Sequence, residues 1–208
     1  AAQSFGATQD GVRSGNLGTI GATSFFPAKP LGAYGDAGAC FTNDADLMTR
    51  LREIRDHGQS ERYKHVRLGI NGRMDSLQAT VLITKLEVFD RELEERDLVA
   101  EKYTALFQSD NEIVTPYIED HNTSSWAQYT VQLEDRDKIQ EKLSAGGIPS
   151  VVHYPLASNH QPVLAQKGSM FSNCDNSAQR VLSLPMHPYL TEKQQMRIAN
   201  ALKVAVTN

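Results

Sequence analysis

The segment Ser24-Phe25-Phe26-Pro27-Ala28-Lys29-Pro30-Leu31-Gly32 constrains this chain more than any other. Pro27 and Pro30, followed by Gly32 and Gly35, rule out a helix, since proline has no amide proton and clashes with the preceding turn. On either side, Ile20-Gly21-Ala22-Thr23-Ser24-Phe25 and Gly38-Ala39-Cys40-Phe41-Thr42 read as short buried strands. A strand–loop–strand unit therefore presents one lysine. Lysine in a turn is ordinarily a solvated charge. Here apolar flanks and crowding small residues point instead to a sheltered lysine, the setting expected of an amine that serves as nucleophile in Schiff-base formation.

From Asn43 the texture turns helical. Asn43 is expected to cap a helix with Leu47, Leu51 and Ile54 on one face, ending at Gly58. Asp75 with Gln78 opens a second helix striped by Val81, Leu82, Leu86 and Phe89. A charged break from Asp90 to Asp97 then separates a third helix carrying Leu98, Val99, Tyr103 and Leu106. Beyond these connectors strand and helix alternate: a strand at Gln128 to Leu133, a helix from Asp135 to Gly146-Gly147, and a strand at Ser150 to His153. A short helix around Asn176 to Leu182 and a last one capped by Thr191 with Gln194 complete an α/β pattern.

A formal net charge of -4, with lysines and arginines scattered among acids, argues against a nucleic-acid surface. No apolar run approaches the roughly 18 residues of a membrane span, and the amino-terminal residues lack the pattern of a signal peptide. Cys40 and Cys174 stand far apart and read as reduced thiols of a cytoplasmic protein. No histidine or cysteine spacing implies a metal. The chain starts without Met on a small-residue run, which reads as a cut inside a larger gene product.

The lysine segment, continuing through Tyr34-Gly35-Asp36-Ala37-Gly38, resembles that of the DegT/DnrJ/EryC1/StrS sugar aminotransferases, fold type I of the pyridoxal-phosphate enzymes. Ala1-Ala2-Gln3-Ser4 is similar to that family's cofactor-ring segment, and Gly69-Ile70-Asn71-Gly72-Arg73-Met74-Asp75-Ser76-Leu77-Gln78-Ala79 to its second signature. His153-Tyr154-Pro155 with Gln161-Pro162 resembles a third, and Leu184-Pro185-Met186-His187-Pro188 a fourth. Four signatures in order over nearly all of the chain are far more specific than one.

The resemblance implies a fold, a cofactor and roles. Residues 1–80 would be the C-terminal part of the large cofactor domain, and 81–208 a small C-terminal domain that includes the long connector helices. Pyridoxal 5'-phosphate would be held by Lys29 as the Schiff-base lysine, by the Ser24 hydroxyl at the phosphate, by Gln3 at the phenolic oxygen and by Asn71 from a neighbouring subunit. Active sites would thus be shared across a homodimer. Arg73, His153 and Tyr154 would face the substrate, where the planar fork of arginine suits a phosphate or carboxylate. The reaction implied is transfer of an amino group from an amino acid, glutamate being the expected donor, to a nucleotide-linked keto sugar for bacterial polysaccharide. Within the family the resemblance is closest to enzymes that aminate C3 of UDP-linked 3-keto uronic acids.

Departures from the pattern qualify this. The carboxylate that pairs with the pyridine nitrogen would lie just before Ala1, and the amino-terminal phosphate-binding turn and the ring-stacking aromatic are also outside these residues. Ser158-Asn159-His160 stands where many members read Leu-His. Two alternatives remain open: a truncated, non-catalytic chain that folds or dimerises without cofactor, and the family's sugar dehydratases, which carry His in place of the lysine and are disfavoured by Lys29.

Overall fold

The computed structural model describes residues 1–164 and 171–207. They form two compact units: Ala1–Glu94 with Ile118–Ala127, and Glu95–Tyr117 with the chain from Gln128 onward.

The first unit opens with a tiny hairpin, β1 (Thr8–Gln9) and β2 (Val12–Arg13), whose turn uses the left-handed backbone of Asp10 and Gly11. Strands β3 (Gly21–Ser24) and β4 (Gly38–Phe41) pair antiparallel, Gly21 opposite Phe41 and Ser24 opposite Gly38. They are the two strands expected on either side of Lys29, each ending slightly earlier than the apolar run. Helix α1 (Ala45–Arg55) follows, capped by Asp44 rather than Asn43: the Asp44 carboxylate accepts from the Asp46 and Leu47 amides at 2.9 Å, and its charge also suits the helix dipole. No residue of α1 is buried, those of its apolar face included. A cavity of about 590 Å³ lies beside that face, lined among others by Met48, Leu51, Ile54, Ile70 and Met74. A second hairpin, β5 (Gln59–Glu61) and β6 (Lys64–His65), turns at Tyr63, whose φ is 67°.

Helix α2 (Ser76–Phe107) is one uninterrupted element. The expected break from Asp90 to Asp97 does not exist. Glu, Arg and Leu are strong helix formers, and nothing in Asp90-Arg91-Glu92-Leu93-Glu94-Glu95-Arg96-Asp97 supplies a proline or glycine to stop the ladder. Residues to Glu94 belong to the first unit, where Leu82 and Phe89 join Phe25, Leu31 and Ala33 in the core. Phe5 sits among three other rings, 5.6 Å from Phe25, 5.7 Å from Phe89 and 6.1 Å from Phe41. Burial of each large side chain contributes about 1.5–3 kcal/mol.

The second unit begins with the rest of α2 and continues with β7 (Tyr129–Gln132), α3 (Arg136–Ala145), α4 (Ser172–Arg180), β8 (Val181–Leu184) and α5 (Glu192–Thr207). Strands β7 and β8 pair antiparallel, Thr130 opposite Ser183 and Val131 opposite Leu182. Residues 181–182 are therefore strand, not the end of a helix: Val181-Leu182-Ser183-Leu184 finds a partner in β7, and cross-strand burial outweighs local helical preference. The strand expected at Ser150 to His153 is reduced to a single bridge, Val151 to Ser183. Tyr103, Phe107 and Tyr129 stack at the centre, with centroids 6.0 Å apart for Tyr103–Phe107 and 5.0 Å for Tyr103–Tyr129. The Tyr129 hydroxyl meets Thr104 at 2.8 Å, and Tyr103 donates to the Pro185 carbonyl at 3.1 Å. Burial pushes both phenols above their ordinary value. Helix α5 opens on the expected capping box: the Thr191 amide donates to Gln194 Oε1 at 2.9 Å. Within the described residues every named sheet is an antiparallel pair, and no helix is long and apolar enough to cross a membrane.

Candidate active site

Lys29 lies on a closed loop between β3 and β4. The Phe25 amide donates to the Ala37 carbonyl and the Ala33 amide to the Phe25 carbonyl, both at 2.8 Å, which brings the loop ends together. A turn inside it is set by the Lys29 amide donating to the Phe26 carbonyl at 2.9 Å. Gly32 is required sterically, since a Cβ there would stand 2.4 Å from the Pro27 carbonyl oxygen. Leu31 and Ala33 are buried and anchor the loop in the core.

Two side chains of α2 hold this loop from outside. Gln78 Oε1 accepts the Tyr34 amide at 2.8 Å, and Lys85 Nζ donates to the Gly32 carbonyl at 2.6 Å while lying 5.1 Å from the centre of the Tyr34 ring. Sequence reasoning gave Gln78 a capping role. In the structure Asp75 caps alone, accepting from Leu77 at 2.8 Å, which frees Gln78 for the loop. Lys85 was missed; a long cation two helical turns from Gln78 on the same face was the available signal. Lys29 itself is half-buried, and among the described residues its amine makes no hydrogen bond or ion pair.

Ser24 ends β3 just before the loop. Its Oγ accepts the Phe26 amide at 3.1 Å, which leaves the hydroxyl proton for another acceptor. Gln3 is exposed, but its backbone is fixed by Ser125, whose hydroxyl donates to the Gln3 carbonyl at 3.0 Å. These three side chains belong to the first unit.

Asn71 and Arg73 belong to the same unit and are both exposed. The segment 70–72 runs along the end of α1: the Ile70 amide donates to Ile54 and the Gly72 amide to Arg55, each at 2.8 Å. Asn71 forms a bridge with Asp56 and does not take the left-handed conformation. The hydrogen bonds that frame this bridge are made by its neighbours, His57 to the Ile70 carbonyl and Gly72 to the Arg55 carbonyl, and Asn71 itself stands exposed. Arg73 is ion-paired with Asp56. His153 and Tyr154 stand in the second unit, ring centroids 5.4 Å apart and edge-on. His153 is half-buried with Nδ1 3.1 Å from Ser183 Oγ, while Tyr154 is exposed.

The profile of the DegT/DnrJ/EryC1/StrS aminotransferase family matches residues 1–203. The chain belongs to this family. It is 50% identical over 190 residues to UDP-2-acetamido-2-deoxy-3-oxo-D-glucuronate aminotransferase of Pseudomonas aeruginosa, covering 91% of this chain and 53% of that protein. It is 35% identical over 207 residues to dTDP-3-amino-3,4,6-trideoxy-alpha-D-glucose transaminase of Streptomyces venezuelae, covering 98% of this chain and 54% of that protein. Among solved structures, a DegT/DnrJ/EryC1/StrS aminotransferase from Brucella abortus superposes with a TM-score of 0.93 at 41% identity, covering 100% of this chain and 56% of that one. The chain spans about half the length of the curated relatives it matches.

DegT/DnrJ/EryC1/StrS aminotransferases are fold type I enzymes that use pyridoxal 5'-phosphate. The residues present fit part of that group's needs. An amine without a partner on a rigid loop suits its aldehyde, and a serine hydroxyl with a spare proton at the loop's start suits its phosphate.

Proposed function

We propose that the protein containing these residues transfers an amino group from an amino acid, glutamate by expectation, to a nucleotide-linked keto sugar in bacterial polysaccharide synthesis. The observation that carries this is Lys29: a half-buried amine without a partner among the described residues, on a loop pinned at Gly32 and Tyr34. When bound, pyridoxal 5'-phosphate supplies the electron sink and the amino carrier. Lys29 Nζ is the group that would hold it covalently, Ser24 Oγ the donor to its phosphate and Gln3 the contact at its phenolic oxygen. Once released, the Lys29 amine would also shuttle the proton, taking it from the α-carbon of the donor and delivering it to C4' of the cofactor. The pinning of its loop keeps the amine in reach of that atom without a fresh entropic cost at each turnover.

A 3-oxo-glucuronate sugar attached to UDP is the substrate we favour, on the similarity to the P. aeruginosa enzyme. Such a substrate carries a carboxylate and a diphosphate, and Arg73, His153 and Tyr154 are the side chains we assign to it. Arg73 must exchange Asp56 for the substrate anion, which is chemically an even trade of carboxylate for carboxylate or phosphate.

The protein is further proposed to work in the cytoplasm as a homodimer with shared sites, Asn71 reaching the partner's cofactor phosphate. Support comes from the strip leading to Asn71, where Tyr63, Val66, Leu68 and Ile70 are all exposed, Leu68 to 96%. Assay of the full-length protein with glutamate and a UDP-linked 3-keto uronic acid tests the reading. Turnover that collapses by orders of magnitude in Lys29→Ala supports it; turnover that survives this substitution sinks it. A second reading is a non-catalytic chain that folds or dimerises without cofactor. It predicts no visible absorbance band of lysine-bound cofactor.

A further inference from the structure

Ser183 is a polar residue in a place that favours apolar ones. It lies at 4% exposure between Leu182 and Leu184 on β8, both of them buried. A hydroxyl there costs stability unless it is partnered. Its partners come from both sides. Thr130 is its cross-strand neighbour on β7, with the two hydroxyl oxygens 2.9 Å apart. On the other side Val151 pairs with Ser183 through two backbone hydrogen bonds, of 3.1 and 2.8 Å. His153, two residues beyond Val151, thereby brings Nδ1 to 3.1 Å from Ser183 Oγ.

We infer that Ser183, backed by Thr130, is a positioning residue for His153. It holds Nδ1 in a hydrogen bond, fixes the ring plane, and leaves Nε2 as the nitrogen offered to the nucleotide-sugar substrate. An imidazole with one nitrogen held in this way has one working nitrogen and one orientation. A histidine in free rotation would spend part of each binding event finding them. The inference rests on the reading above that His153 faces substrate.

The test uses the full-length protein with 15N-labelled histidine, the His153 ring signals being assigned by their loss in His153→Asn. In Ser183→Ala the Nδ1 signal is expected to shift as its hydrogen-bond partner is lost. In Thr130→Val, which removes only the supporting hydroxyl, a smaller change in the same sense is expected. KM for the UDP-keto sugar should rise roughly two- to tenfold in Ser183→Ala, the span of one neutral hydrogen bond, with a smaller fall in kcat. Restoring a hydroxyl on the neighbouring strand alone, in Thr130→Ser, should leave the ring signals as in the parent. Ring signals unchanged in Ser183→Ala would overturn the inference whatever the kinetics. Ring signals that move while KM stays fixed in both Ser183→Ala and His153→Asn would instead overturn the assignment of His153 to substrate.

Discussion

Gln78 Oε1 accepts the Tyr34 backbone amide at 2.8 Å, so the first turn of α2 closes the loop that carries Lys29. Seven residues further on, in Lys85→Met, the Gly32 carbonyl would lose the ammonium that sits 2.6 Å from it. Both contacts reach backbone rather than side chain, so they act on the loop's path whatever the side chains in it.

Gln78→Ala should therefore loosen the loop without unfolding the unit. One net hydrogen bond is worth about 1 kcal/mol, so hydrogen exchange at the Tyr34 amide should speed up roughly five- to tenfold. Amides in the core strands should hardly change. Exchange at Tyr34 as slow as in the parent protein would mean the bond carries no weight.

Gly32→Ala should be costly for a different reason. The new Cβ would stand 2.4 Å from the Pro27 carbonyl oxygen, a backbone atom that cannot swing away. Overpacking of this kind costs about 1–3 kcal/mol, readable as a lower denaturation midpoint at unchanged slope. Gly18→Ala, whose nearest neighbour would be 3.8 Å away, is the control and should stay within about 0.5 kcal/mol of the parent.

The sequence shows the loop plainly because proline and glycine act through local sterics, which no tertiary contact can override. It shows α5 plainly for the same reason, Thr191 and Gln194 being three residues apart and sufficient to each other. What it hides depends on distant partners. Gln78 looks like the far half of a capping box until Tyr34 claims its oxygen. Val181 to Leu184 can pass for the end of a helix until β7 lies beside it. The α2 segment from Asp90 to Asp97 looks like a break only if charge is mistaken for a stop signal. Of the proposed site, Lys29, Ser24 and Gln3 are singled out by motif and lie in one unit, whereas the partners Lys85 and Ser183 have no motif and emerge only from the fold.

The shared-site proposal predicts complementation. Lys29→Ala subunits and Asn71→Ala/Arg73→Ala subunits should each be inactive, and mixing them with verified exchange should rebuild one complete site per heterodimer. Activity that stays at background would show that Asn71 and Arg73 serve their own subunit. Asp56→Asn, which frees Arg73 from its ion pair, should lower KM for an anionic sugar nucleotide if that pair competes with substrate.

Acid should weaken the second unit through His187. Partial burial, and then the Arg96 guanidinium, hold its imidazole below the ordinary 6.5, and its Nδ1 accepts the Tyr189 amide at 3.2 Å. The folded state thus binds this proton less readily than the unfolded chain. The contribution is full above about pH 6.5 and is lost as pH falls below it through the folded value. In urea titrations across pH 7.5 to about 5, His187→Gln should show a flatter loss of stability than the parent. Equal slopes would remove His187 from the account.

The most direct measurement is borohydride reduction of the cofactor-loaded full-length protein, followed by peptide mass spectrometry. The account predicts a pyridoxyl group fixed on Lys29 and on no other lysine, and no fixed label in Lys29→Ala. A label on a different lysine, or one that persists after Lys29→Ala, would contradict it.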